Sequence, residues 1–579
     1  MSHAIGIDLG TSNCALALAG EGLEILPVTQ ILGPQSVGER NLLPSAVFLP
    51  AEGASPSATL PWTGEGTGIF AGTHARDLGA LQPERLVVSA KSWLCNPHID
   101  RRAGVLPWQS TVVPEKLSPV EVSRALLAHL LSNLRHHHSS VDGLNVVVTV
   151  PASFDEVARV LTQEAARQAG WGQVTLLEEP QAAFYAWLEN NSVSWRSQVG
   201  EGDLVLVCDV GGGTADFSLI AVGKRDGDLD LERVAVGDHL LLGGDNMDLA
   251  LAHDVARDLE GVALDEWQFL SLLHAVRSAK EALFSRPDLG EVPIAIPSRS
   301  SRLLASSIAA TLRRDRLESV LVEGFFPMVE PDAVPTVRRA GGLRESGLPY
   351  AADAAVTRHL ARFLQRARSA TGVSAMPTRV LFNGGVFHAN VLRQRVLDQL
   401  AAWAGHPVRE LEGGSPDHAV ALGAAAYARL CQSGRGLRIK SGTARSYYLG
   451  LESSAPAVPG RPVPIKGLCI APKGLEEGSH VDLPGEEFLL YTGEPCDFRF
   501  FQSAARPLDQ TGDVLPTVND LEESALLTVC IPPPAGHSPG EEIPVHLQSG
   551  LTELGNLELH FSHRPSGERW KMEFRARLE

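Results

Sequence analysis

The chain predicts an α/β fold of two related lobes facing a cleft, followed by a smaller all-β domain. Three observations carry this expectation. Two glycine-rich hairpins share one pattern near residues 8 and 209; strands alternate with amphipathic helices up to about residue 430; and short alternating apolar runs between Gly and Pro turns take over from residue 446.

The hairpin at residues 205–222 reads VLVCDVGGGTADFSLIAV. An apolar strand ends at Asp209, Gly211, Gly212 and Gly213 make the bend, and Thr214 and Asp216 open a second apolar run. Glycines there let main-chain N–H groups approach and cradle phosphate oxygens, the Thr214 hydroxyl adds a donor, and Asp209 can hold hydrated Mg2+. A plain hairpin turn would use the same glycines. The second copy decides between these readings. Residues 5–19 read IGIDLGTSNCALALA, with Asp8, Gly10, Thr11, Ser12 and Asn13 in the corresponding places. Such duplication predicts two lobes gripping one polyphosphate and one metal, with Asp8 and Asp209 on opposite sides.

At 579 residues the chain exceeds a single core and predicts two or three domains. Its 44% hydrophobic and 20% charged content is that of an ordinary globular protein. A net charge of −18 works against nucleic acid or an anionic membrane as partner. No segment has the length and apolarity of a membrane span, and residues 1–6 lead directly into a strand, so the expected location is the cytoplasm. Seven cysteines lie scattered without a C-x-x-C pair, which leaves zinc-ribbon and redox readings without support. Cys14 and Cys208, in apolar strand runs, read as small buried hydrophobes. The run His136–His138 follows an amphipathic helix without acidic or thiol companions and reads as a solvated helix end.

In chain order, residues 21–49 alternate as strands, and 51–72, rich in Gly, Ser, Pro and Thr, read as a surface loop. Lys91 stands alone in LVVSAKSWL, which by itself reads as a surface lysine at a strand-to-helix junction. Ser118-Pro119-Val120-Glu121 is a capping box opening a helix over 122–134. NVVVTV at 145–150 is a buried strand ending at Pro151, and Ser153 to Glu156 gives a second capping box for a helix that carries Arg159. A short strand at 174–177 meets Glu178 and Glu179, whose carboxylates suit a helix start. Beyond the central hairpin, Gly243-Gly244-Asp245-Asn246-Met247-Asp248 precedes a helix expected over 249–259, and a further helix over 267–284 carries Arg277 and Lys280. A strand at 380–382 stops at Gly384-Gly385, where bare backbone can meet an adenine or a phosphate. Asp417 precedes an Ala-rich helix over 419–430.

Eight blocks, IGIDLGTSN, SAKSWL, VVVTVPASF, EEPQAAFYAWL, CDVGGGTADFSL, GDHLLLGGDNMD, VLFNGGV and SPDHAVALGAAAYA, stand in the order found in the ATPase domain of Hsp70-type chaperones, which residues 1 to about 430 resemble. The resemblance is to the DnaK-like family within the actin, hexokinase and Hsp70 superfamily. It implies a two-lobed actin-like ATPase domain of duplicated ribonuclease-H-like subdomains over 1–432, a linker over 433–445 and a β-sandwich over 446–579. The implied cofactors are ATP or ADP with Mg2+. Asp8 and Asp209 would hold waters of the metal. Gly10, Thr11, Ser12, Asn13, Gly211, Gly212, Gly213 and Thr214 would line the phosphates, with Asp216 beside them. Lys91 would position the attacking water, Glu179 would stand near the metal waters, and Pro151 with Arg159 would relay hydrolysis to domain movement. Gly243, Gly244, Lys280, Gly384, Gly385 and Asp417 would border the adenosine.

Departures from the family pattern shape the functional expectation. Arg277, Phe284 and Val386 stand where the family has an acidic residue and two serines around the adenosine. Residues 325–352 read as an insertion before a helix over 354–368, and 434–444 are polar and basic where the family has a leucine-rich linker. Thr175, Glu178 and Gln181 occupy positions that receive a J-domain co-chaperone in the bacterial family. SYYLGLE and PVPIKG resemble the opening of the Hsp70 substrate-binding β-domain, and the expectation is a β-domain that lacks the family's helical lid. The leading expectation is a chaperone that binds unfolded or extended polypeptide through this β-domain under control of ATP hydrolysis, a co-chaperone or exchange factor being further partners. Two alternatives are a nucleotide-switched scaffold for one dedicated partner and a small-molecule kinase using Asp216 as base.

Overall fold

Asp8 and Asp209 occupy matching places in two sheets of matching strand order. The computed structural model describes residues 4–575 outside 52–57, 63–68, 97, 139–142, 226–227, 260–261, 298–307, 338–346, 372–375, 414, 434–438, 441–442, 444, 455–462, 476–478, 484–487, 504–505, 507 and 553–555. In the first sheet the order is Thr175–Glu178, Asn145–Val150, Ala4–Leu9, Asn13–Ala19, Leu23–Leu26. In the second it is Arg409–Glu410, Arg379–Asn383, Leu204–Val210, Ala215–Arg225, Asp228–Val236. Each aspartate-bearing strand pairs in parallel on one side and forms the antiparallel hairpin on the other. Both strands are apolar and buried because helices cover them, which is why their sequences lack the alternation of a solvent-facing strand.

Contacts divide the chain into a unit of residues 1–230 and 235–437 and a second of 231–234 and 438–579. In the second, Ile439 and Lys440 pair in parallel with Leu231 and Glu232. The rest of the expected linker lies largely outside the described residues. The second unit has two sheets of antiparallel strands. One runs Val514–Leu515, Ile465–Ala471, Ser446–Glu452, Pro495–Ser503, Glu522–Cys530; the other runs His480–Asp482, Glu542–Leu551, Asn556–Ser562, Arg569–Arg575, with Phe488–Tyr491 also paired to Glu542–Leu551. Tyr447, Leu449, Ile470 and Phe500 of the first share one apolar core with Val545, Leu547, Leu559 and Phe561 of the second.

Several elements differ at their ends from the sequence expectation. The helix expected from 249 begins at Gly244 and runs Gly244–Arg257, because Asn246 Oδ1 accepts the Gly243 N–H at 2.9 Å and caps it. The capping oxygen of helix Glu156–Gln168 belongs to Asp155, which accepts from Ala158 N at 2.7 Å. Ser153, expected in that role, instead donates to Asp216 Oδ1 at 2.8 Å. The capping box at Ser118 and Glu121 is formed, and its helix runs Pro119–His137, with His136 and His137 exposed at its end. The surface loop expected over 51–72 closes in a short strand, Phe70–Ala71, where it is described.

Two glycines set how closely helix Ala419–Ser433 lies on the first lobe. A Cβ on Gly6 would stand 2.2 Å from Ala425 N, and one on Gly423 would stand 1.7 Å from Ala182 O, in helix Glu179–Asn190. Backbone atoms cannot move aside as a flexible side chain can, so overpacking costs at least the usual ~1–3 kcal/mol. Gly423→Ala is therefore expected to lower the melting temperature by several degrees or to prevent soluble expression, while Ala424→Gly serves as the milder control; a thermal melt checks it.

Candidate functional site

The two hairpins face each other. A Cβ on Gly212 would stand 2.3 Å from Ser12 Oγ, and one on Gly213 would stand 2.8 Å from Thr11 Cγ2. A side chain at either place would have to displace Ser12 or Thr11 of the opposite lobe. The Gly211 N–H donates to Thr214 O at 2.9 Å, closing the bend. On the other side, Gly10 closes its turn against Asn13, whose carbonyl oxygen would lie 2.2 Å from a Gly10 Cβ, and Ser45 Oγ donates to Gly10 O at 2.7 Å.

Lys91 is within electrostatic reach of Asp8 and Asp216, one from each hairpin. It is 6% exposed, on the short helix Ala90–Leu94, and forms an ion pair with Glu179. The reading of a surface lysine is thereby corrected: counter-charges remote in sequence hold it inside. Burial alone would lower its pKa, yet Glu179 and Asp8 outweigh burial and raise it, so the ammonium stays charged. Ser89, the residue before this helix, has a left-handed backbone at φ 55°, a strained conformation for a non-glycine residue.

Both aspartates are held toward their neutral forms. Burial raises Asp8 to about 7, against the lowering effect of Lys91 and a hydrogen bond donated by Thr149 Oγ1 at 3.2 Å. Burial and then Glu179 raise Asp209 to about 8, against an Asn383 Nδ2 hydrogen bond of 2.7 Å. A half-buried cluster of carboxylates with one buried lysine lacks positive charge. Hard oxygen donors of this kind fit Mg2+, directly or through its waters. Thr149 and Asn383 escaped the sequence reading. Each is a polar residue inside or closing an otherwise apolar strand run, and each lies beside its aspartate across a parallel pairing. That interruption is the signal by which both are recognisable.

The remaining expected residues lie around this centre in several separate contacts. Gly243 and Gly244 lie on the phosphate hairpin: Gly244 N donates to Gly211 O at 3.0 Å, and a Gly243 Cβ would meet Gly211 O and Gly212 O at 2.6 Å. Gly384, at φ 87°, passes under the end of the Asp209 strand, where a Cβ would stand 2.3 Å from Val210 O. A Cβ on Gly385 would lie 3.7 Å from Asp417 Oδ1, and Asp417 pairs with His388 at 2.9 Å. Lys280 is engaged by the buried Asp248 at 2.7 Å. Arg277 bonds Asp248 at 2.6 Å and also pairs with Asp245, so this cation ties two helices together. Asp216 accepts from Ser153 and lies 3.3 Å from His239 Nδ1. Phe154 N donates to Pro151 O at 3.1 Å, and the buried Arg159 bonds Ala152 O, Phe154 O and Glu178 at 3.1, 3.2 and 2.9 Å. Pro151 and Arg159 are thus joined to the strand end that leads into Glu179.

Cys14 and Cys208 are fully buried and burial raises both thiols, Cys14 to about 12, in keeping with a packing role. Outside the cleft, His480, Glu558 and His560 bring ligand-type atoms within 4.8 Å of one another. Lys571 Nζ lies 2.5 Å from Glu558 Oε1 and already supplies the counter-charge, so this cluster has no need of a metal. Among the described residues no helix is long and apolar enough to cross a membrane.

Two matched sheets with their glycine hairpins opposed define the two-lobed, actin-like fold class. Residues 87–333 match the family model described as Hsp70 protein. The chaperone protein HscA homolog of Bordetella pertussis is 31% identical over 448 residues, which make up 75% of this chain and 59% of that relative. Its counterpart in Burkholderia lata is 33% identical over 449 residues, again 75% of this chain and 59% of the relative. Residues 87–333 thus carry the Hsp70 match, and the chain spans 59% of the length of the HscA relatives to which it is similar.

Proposed function

We propose that the protein is an ATP-dependent chaperone of the Hsp70 type, which binds and hydrolyses Mg·ATP in the cleft and thereby gates polypeptide binding by its C-terminal unit. The observation that carries this reading is the buried Lys91, paired with Glu179 beside Asp8, where the two glycine hairpins face each other. Phosphoryl transfer asks a protein for positioning and charge more than for covalent chemistry. The Thr11, Ser12 and Gly211–Thr214 backbone and hydroxyls line the phosphates in this reading. Lys91 orients the attacking water and offsets the charge that develops on the phosphoryl oxygens. Asp8 and Asp209 hold the waters of Mg2+, which when bound neutralises phosphate charge. Gly384, Gly385, Asp417 and Lys280 border the adenosine. The two α/β sheets are then duplicated ribonuclease-H-like subdomains, and residues 446–579 are a β-sandwich that takes extended chains by strand addition and apolar pockets.

One observation favours a second reading, a nucleotide-switched scaffold for one dedicated partner. Glu178 and Gln181, at positions expected to receive a co-chaperone, are buried, and Glu178 is committed to Arg159. Steady-state ATP hydrolysis with and without a reduced, unfolded polypeptide separates the two. Stimulation by the polypeptide is the expected result. Hydrolysis indifferent to it transfers the assignment to the scaffold, and no hydrolysis overturns both.

A further inference from the structure

We propose that residues 347–351 form a tie across the mouth of the cleft, linking the two lobes and slowing release of nucleotide. The proposal rests on the nucleotide-binding reading of the same cleft. This segment lies beyond the stretch that matches the Hsp70 model, which ends at residue 333. Its return toward the next helix is pinned by Asp353, which accepts the Thr336 N–H at 2.7 Å and the Ala355 N–H at 2.9 Å. From that anchor the chain reaches both lobes. Ala351 N donates to Leu241 O at 3.3 Å, and Leu240 bridges to Ala215 of the second-lobe hairpin. At the other end, Asn96 Nδ2 donates to Gly347 O at 3.1 Å, and Asn96 follows the Lys91 helix of the first lobe.

Between these two attachments Leu348 and Tyr350 wall a cleft of about 190 Å3. Its other sides are Ser89 and Ser92, which flank Lys91, and Gly213, Asp245 and Asn246, which belong to the phosphate hairpin and the helix behind it. The tie therefore closes the cleft beside the phosphate cradle. Asn96 is fully buried and its amide Oδ1 accepts the His98 N–H at 3.1 Å, so the Nδ2 donor to Gly347 is held in place. Tyr350 is 55% exposed, so its ring serves as a cover and not as part of the core. Parting the lobes must break the Asn96 contact, the Leu241 contact or both. A net hydrogen bond slows such opening by a factor on the order of 5.

The test uses the full chain with Asn96→Ala and, because Asn96 is buried, the separate double variant Leu348→Ser/Tyr350→Ser. The dissociation rate of a fluorescent ADP analogue is expected to rise about 5-fold or more in each. Rates equal to the parent in a folded double variant overturn the tie. Hydrogen exchange of the nucleotide-free protein reads the same contact without any ligand. Faster exchange at residues 90–94 and 241–246 in both variants supports the tie, and unchanged exchange overturns it. A parent chain that binds no ADP overturns the nucleotide reading, and the exchange result then decides the tie alone.

Discussion

Lys91→Ala is expected to retain ATP and to lose turnover by about 100-fold or more, the loss typical of removing one preorganised charge from a transition state. The reason lies in the charge balance of the cleft. Glu179 acts on both Asp8 and Asp209, and Glu179, Asp8 and Asp216 all act on Lys91. Its ammonium remains charged in spite of burial because Glu179 and Asp8 raise its pKa. The phosphates have independent holders in the hairpin backbone, so affinity for ATP survives while the reacting group loses its electrostatic partner. Removing Lys91 also leaves Glu179 and Asp8 buried without a cation, which costs stability. A thermal melt with nucleotide present separates that cost from the catalytic one. A folded variant that binds ATP and turns it over at the parent rate overturns the role of Lys91.

The parts of this site that the sequence displays are those set by local chemistry. Asp8 with Gly10-Thr11-Ser12 and Asp209 with its three glycines are legible because each needs only the bend it occupies, and because the pattern recurs. Gly212 and Gly213 also face the Ser12 and Thr11 side chains of the opposite lobe, a contact that appears only once the lobes meet. Lys91 was readable as a motif residue and not as a buried one, since its counter-charges lie at positions 8 and 179. The start of helix Gly244–Arg257 was missed because glycine is a poor helix former, whereas here close approach to the Gly211 and Gly212 carbonyls demands it. Ser153 looked like a cap and proved to be a donor to Asp216, an alternative that local spacing cannot separate from capping. In residues 325–352 the role of Gly347–Tyr350 depends on Asn96 and Leu241, neither of which is near in sequence.

Asp209→Asn is expected to stabilise the nucleotide-free protein at alkaline pH while cutting Mg2+-dependent hydrolysis by about 100-fold. The two effects have one origin. Burial, then Glu179, raises the Asp209 carboxyl from 3.8 to about 8, so the folded chain keeps a proton that the unfolded chain releases near the ordinary carboxylate value. Between those two pKa values folding takes up a proton, and stability falls as pH rises through the window. Asparagine does not titrate, so the advantage of the variant grows from about pH 4 to about pH 8 and then levels off. Asn383, 2.7 Å from Asp209 Oδ2, can still donate to the new amide oxygen, which keeps the strand end in place. The same substitution removes the charge that draws Mg2+ into the cleft. A cation there supplies the missing positive charge and drives the proton off, so Mg·nucleotide binding to the parent is expected to release protons below about pH 8 and less to Asp209→Asn. Thermal melts of both chains at pH 6 and pH 9, with calorimetry of Mg·ADP binding in buffers of different ionisation heat, check the whole scheme. A variant that melts below the parent at pH 9, or binds Mg·ADP with undiminished proton release, overturns the charge-poor cleft as the reason Asp209 is retained.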